Sequence, residues 1–392
     1  MHSFGGVFAF DELIENKNYP RIQANLMPSF RKELTEDIAL REYSCTEVAS
    51  LPINLRTEKW KRLSEFCGNY RKLSDEHKSI ILRVLCKLCF YEQVTSLEKG
   101  YSNPSNFFQF EVNYWLFLAK YIQFSDGGIG KYDISLFSDL SRNAPKGTLV
   151  KVNAIYQVVV QNVKDHNNLE QTIYWQNEHN LAVKEIQDNV DPFVYKQILS
   201  RYHRVGGFIP QLQNDPVRCS DEMQLAEDVA RDLFTHKSND ESLNFIYNKC
   251  AQEILFPVLE SRIKEAFWLE NYDLACERAF EIQKLSPADP RVYLHLGEAL
   301  LRNNRIPEAL LSYEKSVFFS VSNVEVPYFM VGQCYEKLGD VFRAQNAYMQ
   351  SIIKDPEGIS SIEALKKISS SMINESEIIS SWLTENENSN GY

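Results

Sequence analysis

The sequence has little of what a membrane, a nucleic acid or an oxidising compartment requires. No uncharged apolar stretch approaches the roughly 18–20 residues of a membrane-spanning helix, so membrane insertion is not expected. Positive charge is scarce: 42 Lys and Arg stand against 53 Asp and Glu, a formal net charge of −11. A phosphate backbone would meet net repulsion, so nucleic acid is not an expected partner. Eight cysteines, at positions 45, 67, 86, 89, 219, 250, 276 and 334, lie scattered in apolar helical contexts rather than at disulfide-scaffold spacings. The first twenty residues have no basic stretch, and Asp11 and Glu12 interrupt their apolar run, unlike a secretory signal. These absences point to a cytoplasmic protein whose default partner is a protein or a small molecule, with a homo-oligomer left open.

Reactive motifs are equally sparse. Cys86 and Cys89 form a C-x-x-C, but it falls inside an apolar helical run and has no second pair to complete a zinc site. In "GGIGK" the first glycine of a phosphate loop would fall at Ser125, and Tyr132 stands where Ser or Thr should hold magnesium, so a turn is expected instead. The histidines show no H-x3-H pairing and no H-E-x-x-H, and no G-x-S-x-G elbow is present. No metal and no cofactor are therefore assigned. Glu178 and His179 are adjacent, project differently from a helix, and are expected at the surface. Arg201, His203 and Arg204 cluster at a helix end, where cations complement the dipole and an anion or phosphate site is the alternative role.

What is present is helical periodicity. With 392 residues, 44% apolar and 12% aromatic, the chain can build two or three domains of roughly 100–200 residues. Residues 1–212 read as a mainly helical domain. "SDEHKSIILRVLCKLCFYEQVTSLEKG" is expected as one buried helix, with Ser74 as N-cap, Asp75 and Glu76 in its first turn, and its end at Gly100. "NPSNFFQFEVNYWLFLAKYIQF" follows, with Pro104 near its start. In "GTLVKVNAIYQVVVQNV" the Val and Ile content favours a strand, but Val152, Ile155, Val159 and Val163 recur at helical intervals, and a helix is expected. "GGFIPQLQNDPVRCSD" is the clearest boundary signal, rich in Gly, Pro and Asp. Residues 213–255 then form a linker and bridging helices, with helices over 221–235 and about 240–268.

Residues 256–358 repeat themselves. Gly297, Leu300, Ala309 and Tyr313 recur as Gly332, Tyr335, Ala344 and Tyr348, each 35 residues on, and Pro356 closes the unit. A weaker copy places Ala266, Ala275, Ala279 and Pro287 before them, with Ala275 34 residues ahead of Ala309. These residues resemble the tetratricopeptide repeat family, whose unit is a helix–turn–helix stacked on its neighbours. The fold implied is all-α, an N-terminal helical domain followed by a C-terminal tetratricopeptide α-solenoid. Residues 359–373, with Ile359, Ile362, Leu365, Ile368 and Met372 at helical spacing, would cap the stack. Residues 374–392 form an acidic tail with Ile378, Ile379 and Trp382 in it.

The resemblance implies a concave peptide-binding groove lined by first helices. Its positions here would be Glu260, Lys264 and Phe267, then Arg291, Leu294, Glu298 and Leu301, then Val326, Phe329, Gln333 and Glu336. Leu294, Leu301, Val326 and Phe329 would anchor partner side chains or pack against the N-terminal domain. The 35-residue period also raises pentatricopeptide RNA-binding repeats, but the mixed charge of 290–358 disfavours them. The module further resembles the translocator chaperones of type III secretion, which are little more than their repeats. "LSDEHKSIILRVLCKLCFYE" and "VDPFVYKQILSRYHRVGGFIPQL" resemble parts of the haem domain of indoleamine 2,3-dioxygenase-type proteins, but linker and repeats stand where that family has its proximal histidine. The function expected is a non-enzymatic adaptor or chaperone. The alternative is an enzyme, peptide-modifying or dioxygenase-like, with a pocket near Glu178, His179, Arg201 and His203, whose repeats present a protein substrate.

Overall fold

The computed structural model describes residues 64–87, 90–126, 134–165, 168–237, 239, 241–287, 289–319 and 324–370. The GGIGK loop from residue 127, Cys89, and the tail beyond residue 370 lie outside the described residues. Every regular element among the described residues is helical. The chain divides into two compact units, Met1–Glu265 and Ala266–Tyr392.

The first unit holds α1 (Asp75–Lys87), α2 (Tyr91–Leu97), α3 (Phe107–Asp126), α4 (Ser135–Asn143), α5 (Leu149–Asp165), α6 (Leu169–Ile186), α7 (Pro192–Gly206), α8 (Phe208–Leu212) and α9 (Pro216–Asp232). It also holds α10 (Glu241–Trp268) as far as Glu265. The helix starts obey local chemistry. Ser74 Oγ accepts from the His77 amide, and the Asn168, Asp191 and Asp215 side chains accept from the amides of Gln171, Phe193 and Arg218. Pro192 and Pro216 occupy first-turn positions, where a missing N–H costs nothing.

Two cores share α3. On one side Ile80, Ile81, Leu82 and Leu85 of α1 and Val94 of α2 meet Val112 and Leu116. On the other, Phe110 and Tyr114 of α3 join Phe137 of α4, Ile155 and Val159 of α5, Trp175 and Ile186 of α6, and Ile198 of α7. The segment 147–163 is thus helical, as its period predicts. The single helix expected from Ser74 to Gly100 is instead two, α1 ending at Lys87 and α2 beginning at Tyr91. The Phe90 amide bonds back to the Leu85 carbonyl at 2.8 Å, and Val94 packs in the same core as Leu85. Residues 206–221, rich in Gly and Pro, lie inside the first unit, in α8 and the start of α9.

The second unit continues with α11 (Tyr272–Leu285), α12 (Pro290–Arg302), α13 (Ile306–Phe319), α14 (Glu325–Lys337), α15 (Val341–Lys354) and a helix over residues 359–370, here α16. α12 packs on α13 and α14 on α15 as hairpins, and α13 bridges onto α14.

Candidate binding surfaces

Each hairpin closes on the same turn. Glu270, Asn304 and Gly339 have φ of 55°, 57° and 78°, the left-handed region that caps a helix C-terminus. The amides of Asn271, Arg305 and Asp340 reach back to the carbonyls of Ala266, Leu300 and Tyr335 at 2.8–2.9 Å. The three turns are 34 and 35 residues apart, so the weaker first copy turns like the other two.

Close approach of the paired helices rests on glycine facing tyrosine. A Cβ built on Gly297 would lie 2.6 Å from the Tyr313 ring, and one on Gly332 would lie 2.5 Å from the Tyr348 ring. Both rings are buried, as are Ala309 and Ala344. The second unit is thus built of helical hairpins whose turns recur every 34 or 35 residues. The chain is similar to several solved structures, among them YrrB, a TPR protein with an unusual peptide-binding site (13% identity, 60% of this chain and 100% of that one, TM-score 0.33). Another is the TPR2AB-domain:pHSP90 complex of yeast Sti1 (15% identity, 64% and 96% of the two chains, TM-score 0.27). A third is the APC/C hetero-tetramer Cut9–Hcn1 (11% identity, 80% and 81%, TM-score 0.28). No family model and no curated protein matches the chain.

The groove positions separate into several environments. Glu260 and Lys264 fall in the first unit, Lys264 exposed. In the second, Phe267 lies under the Arg302 guanidinium, 4.6 Å from its ring centre, and Arg302 also donates to Glu298 at 2.9 and 3.1 Å. Arg302 thereby joins two candidate residues, and the repeat pattern did not mark it. Arg291 is tied to the buried Asp289 carboxylate at 2.6 Å. Leu294, Leu301 and Gln333 are half-buried, and Val326 is 49% exposed. Phe329 leans on Tyr348, ring centres 5.6 Å apart, within the cluster of Ala344, Tyr348 and Ile368. Glu336 accepts from Lys367 of α16 at 3.0 Å and from the Tyr348 hydroxyl at 2.9 Å. The Lys367 bond foremost, and Tyr348 after it, hold the Glu336 carboxyl below its usual range.

The second set of candidates takes another form than expected. His179 is 1% exposed, not a surface residue. It shares the inward face of α6 with Trp175, Ala182, Val183 and Ile186, at helical intervals the polar run around it conceals. Its ring sits 6.0 Å from that of Tyr156 and 5.3 Å from that of Tyr202. No protein group bonds its Nδ1, and burial pushes the imidazole down to about 3. Glu178, its neighbour in sequence, is half-buried.

His203 and Arg204 stand in the last turn of α7, as expected, and each also makes a contact to another helix. His203 Nδ1 meets Glu222 Oε2 at 2.8 Å, and Arg204 donates to the Tyr156 hydroxyl and, at 3.5 Å, to Ser261 Oγ. Arg201 is half-buried. These contacts cross-link α5, α7, α9 and α10 within the first unit. A second buried network, unmarked by any sequence pattern, joins Arg262 to Glu265 at 2.6 Å, to Glu227 at 3.2 Å and to Gln224 at 3.1 Å. Among the described residues, no group of three or more His, Cys, Asp and Glu is placed to hold a metal ion, and no helix is long and apolar enough to cross a membrane.

Proposed function

We propose that this chain binds a polypeptide through the first-helix face of its C-terminal hairpins. The observation that carries the reading is Val326, 49% exposed on α14, with Leu294 and Leu301 half-buried at groove positions of α12. Apolar side chains left outside a hairpin core are suited to anchor a partner's side chains. Glu298 and Arg302 beside them supply charge of both signs to orient its backbone and polar groups. An adaptor or chaperone role and a cytosolic location go with this reading.

The test compares the native chain with Leu294→Glu and Val326→Glu together, since Phe329 leans on Tyr348 and its loss would disturb the fold. Partners captured by the native chain are purified and titrated against both forms. A folded double variant, by circular dichroism and melting, should lose at least about tenfold in affinity, the effect of removing one or two apolar anchors. Equal affinity for both forms overturns the proposal.

A further inference from the structure

α15 turns its core residues one way and a second apolar stripe the other. Ala344, Ala347, Tyr348 and Ser351 are buried, whereas Phe342, Asn346, Met349 and Ile353 lie along the opposite side of the helix. Phe342 is 77% exposed, Met349 51% and Ile353 63%. Three large apolar side chains so placed on one helix exceed the scattered exposure usual on a protein surface. The same face of α13 carries exposed Leu311 and Phe318, which stand 35 residues before Asn346 and Ile353. The patch therefore belongs to the second helices of the hairpins, whereas Val326 stands on the first helix α14.

The spacing of the stripe points to its occupant. Phe342, Asn346, Met349 and Ile353 are separated by steps of four, three and four residues, so their positions read alike from either end of α15. Such a stripe matches an inverted copy of itself. About a two-fold axis crossing between Asn346 and Met349, two α15 helices run antiparallel, with Phe342 of one copy against Ile353 of the other. Asn346 of each copy then faces Met349 beside the axis, where a single polar position fixes register at some cost in stability. The charges favour the same direction. Asp340 is the N-cap of α15 and Lys354 stands in its last turn. Antiparallel pairing brings each lysine beside the other copy's aspartate, and parallel pairing would set lysine against lysine.

We infer that the outer face of α15, widened by that of α13, is a self-complementary interface through which the chain forms a two-fold dimer. The line of contact from Phe342 to Ile353 is about 16 Å long. Ala344 and Tyr348 stay inside their own hairpin, and Val326 stays outside the interface, so the inference does not depend on the polypeptide-binding reading. A dimer of this kind carries two first-helix faces. A partner with two binding segments engages both, the second at the effective concentration of a linked site.

Sedimentation equilibrium of the full 392-residue chain tests this. The native chain should show twice its mass of 45.5 kDa at about 10 µM. Met349→Glu with Ile353→Glu should weaken the dimer at least about tenfold, while circular dichroism and melting stay native. Phe342→Lys, which sets a cation beside the second copy's Lys354, should do the same from the other end of the stripe. A short bismaleimide reads the direction of pairing. A mixture of Phe342→Cys and Ile353→Cys chains should cross-link, and neither variant should do so alone, because like positions lie about 16 Å apart along the helices. A native chain that stays monomeric up to about 100 µM overturns the inference. A dimer that survives both sets of substitutions overturns it too, as does one in which Phe342→Cys cross-links to itself.

Discussion

The Tyr348 ring occupies the space into which a Gly332 side chain would grow, and the missing Cβ would stand 2.5 Å from it. Two effects oppose each other at this position. Alanine is favoured over glycine in a helix interior by about 1 kcal/mol, while overpacking a filled core costs about 1–3 kcal/mol. The ring is caught in the cluster of Ala344 and Ile368 and has little room to retreat. Gly332→Ala should therefore lower stability in urea unfolding despite its better helix propensity. A gain in stability would show that the hairpin can open to accept a methyl group.

The two repeat tyrosines differ in what their hydroxyls meet. Tyr348 donates to Glu336 at 2.9 Å, whereas the buried Tyr313 hydroxyl has no partner in the protein. Leu301 stands 35 residues before Glu336, where the earlier hairpin offers no acceptor. Tyr348→Phe should cost about 1 kcal/mol, the net worth of one hydrogen bond. Tyr313→Phe should be neutral or stabilising, because it removes an unpaired polar atom from the interior. Equal losses in the two variants would contradict the difference.

Of the three hairpin turns, only the first places a longer side chain in the left-handed region, at Glu270. That conformation costs a residue with a Cβ roughly 1–2 kcal/mol relative to glycine. Glu270→Gly should raise the melting temperature, and Gly339→Ala should lower it by a comparable free energy. Failure of the first to stabilise would mean that the Glu270 backbone carries no strain.

Burial lowers the His179 pKa from 6.5 to about 3. Between those values the unfolded chain binds a proton that the folded chain refuses, so stability falls as the pH falls. The slope is about 1.4 kcal/mol per pH unit for one such group, giving roughly 2 kcal/mol between pH 6.5 and 5, above the range where carboxylates titrate. His179→Phe should flatten the pH dependence of the urea midpoint in that window. An unchanged slope would assign the acid sensitivity to other groups.

Much of the second unit was legible because its constraints are periodic. Gly297 with Tyr313, and Gly332 with Tyr348, recur at one offset, and a stack requires the same close approach in each hairpin. The first unit shows only its apolar intervals, which reveal helices such as α5 but not where a helix breaks. α1 ends at Lys87 and α2 begins at Tyr91 with no proline or glycine between them, inside an apolar run that reads as continuous. Pro257 sits inside the unbroken α10, within the helix expected over about 240–268. The inward turn of His179, Arg204 and Arg262 was hidden because the partners Tyr202, Tyr156 and Glu227 are distant in sequence or follow no fixed spacing. Nor could the repeat pattern tell an exposed Val326 from a Phe329 held by Tyr348.

Cys219 is buried in the first unit and Cys334 in the second, and burial pushes both thiols up to about 12. Neither forms the thiolate that reacts with an alkylating reagent while its unit stays closed. The chain thus carries a chemical clock in each half. Alkylation at Cys219 counts openings of one unit, and alkylation at Cys334 counts those of the other.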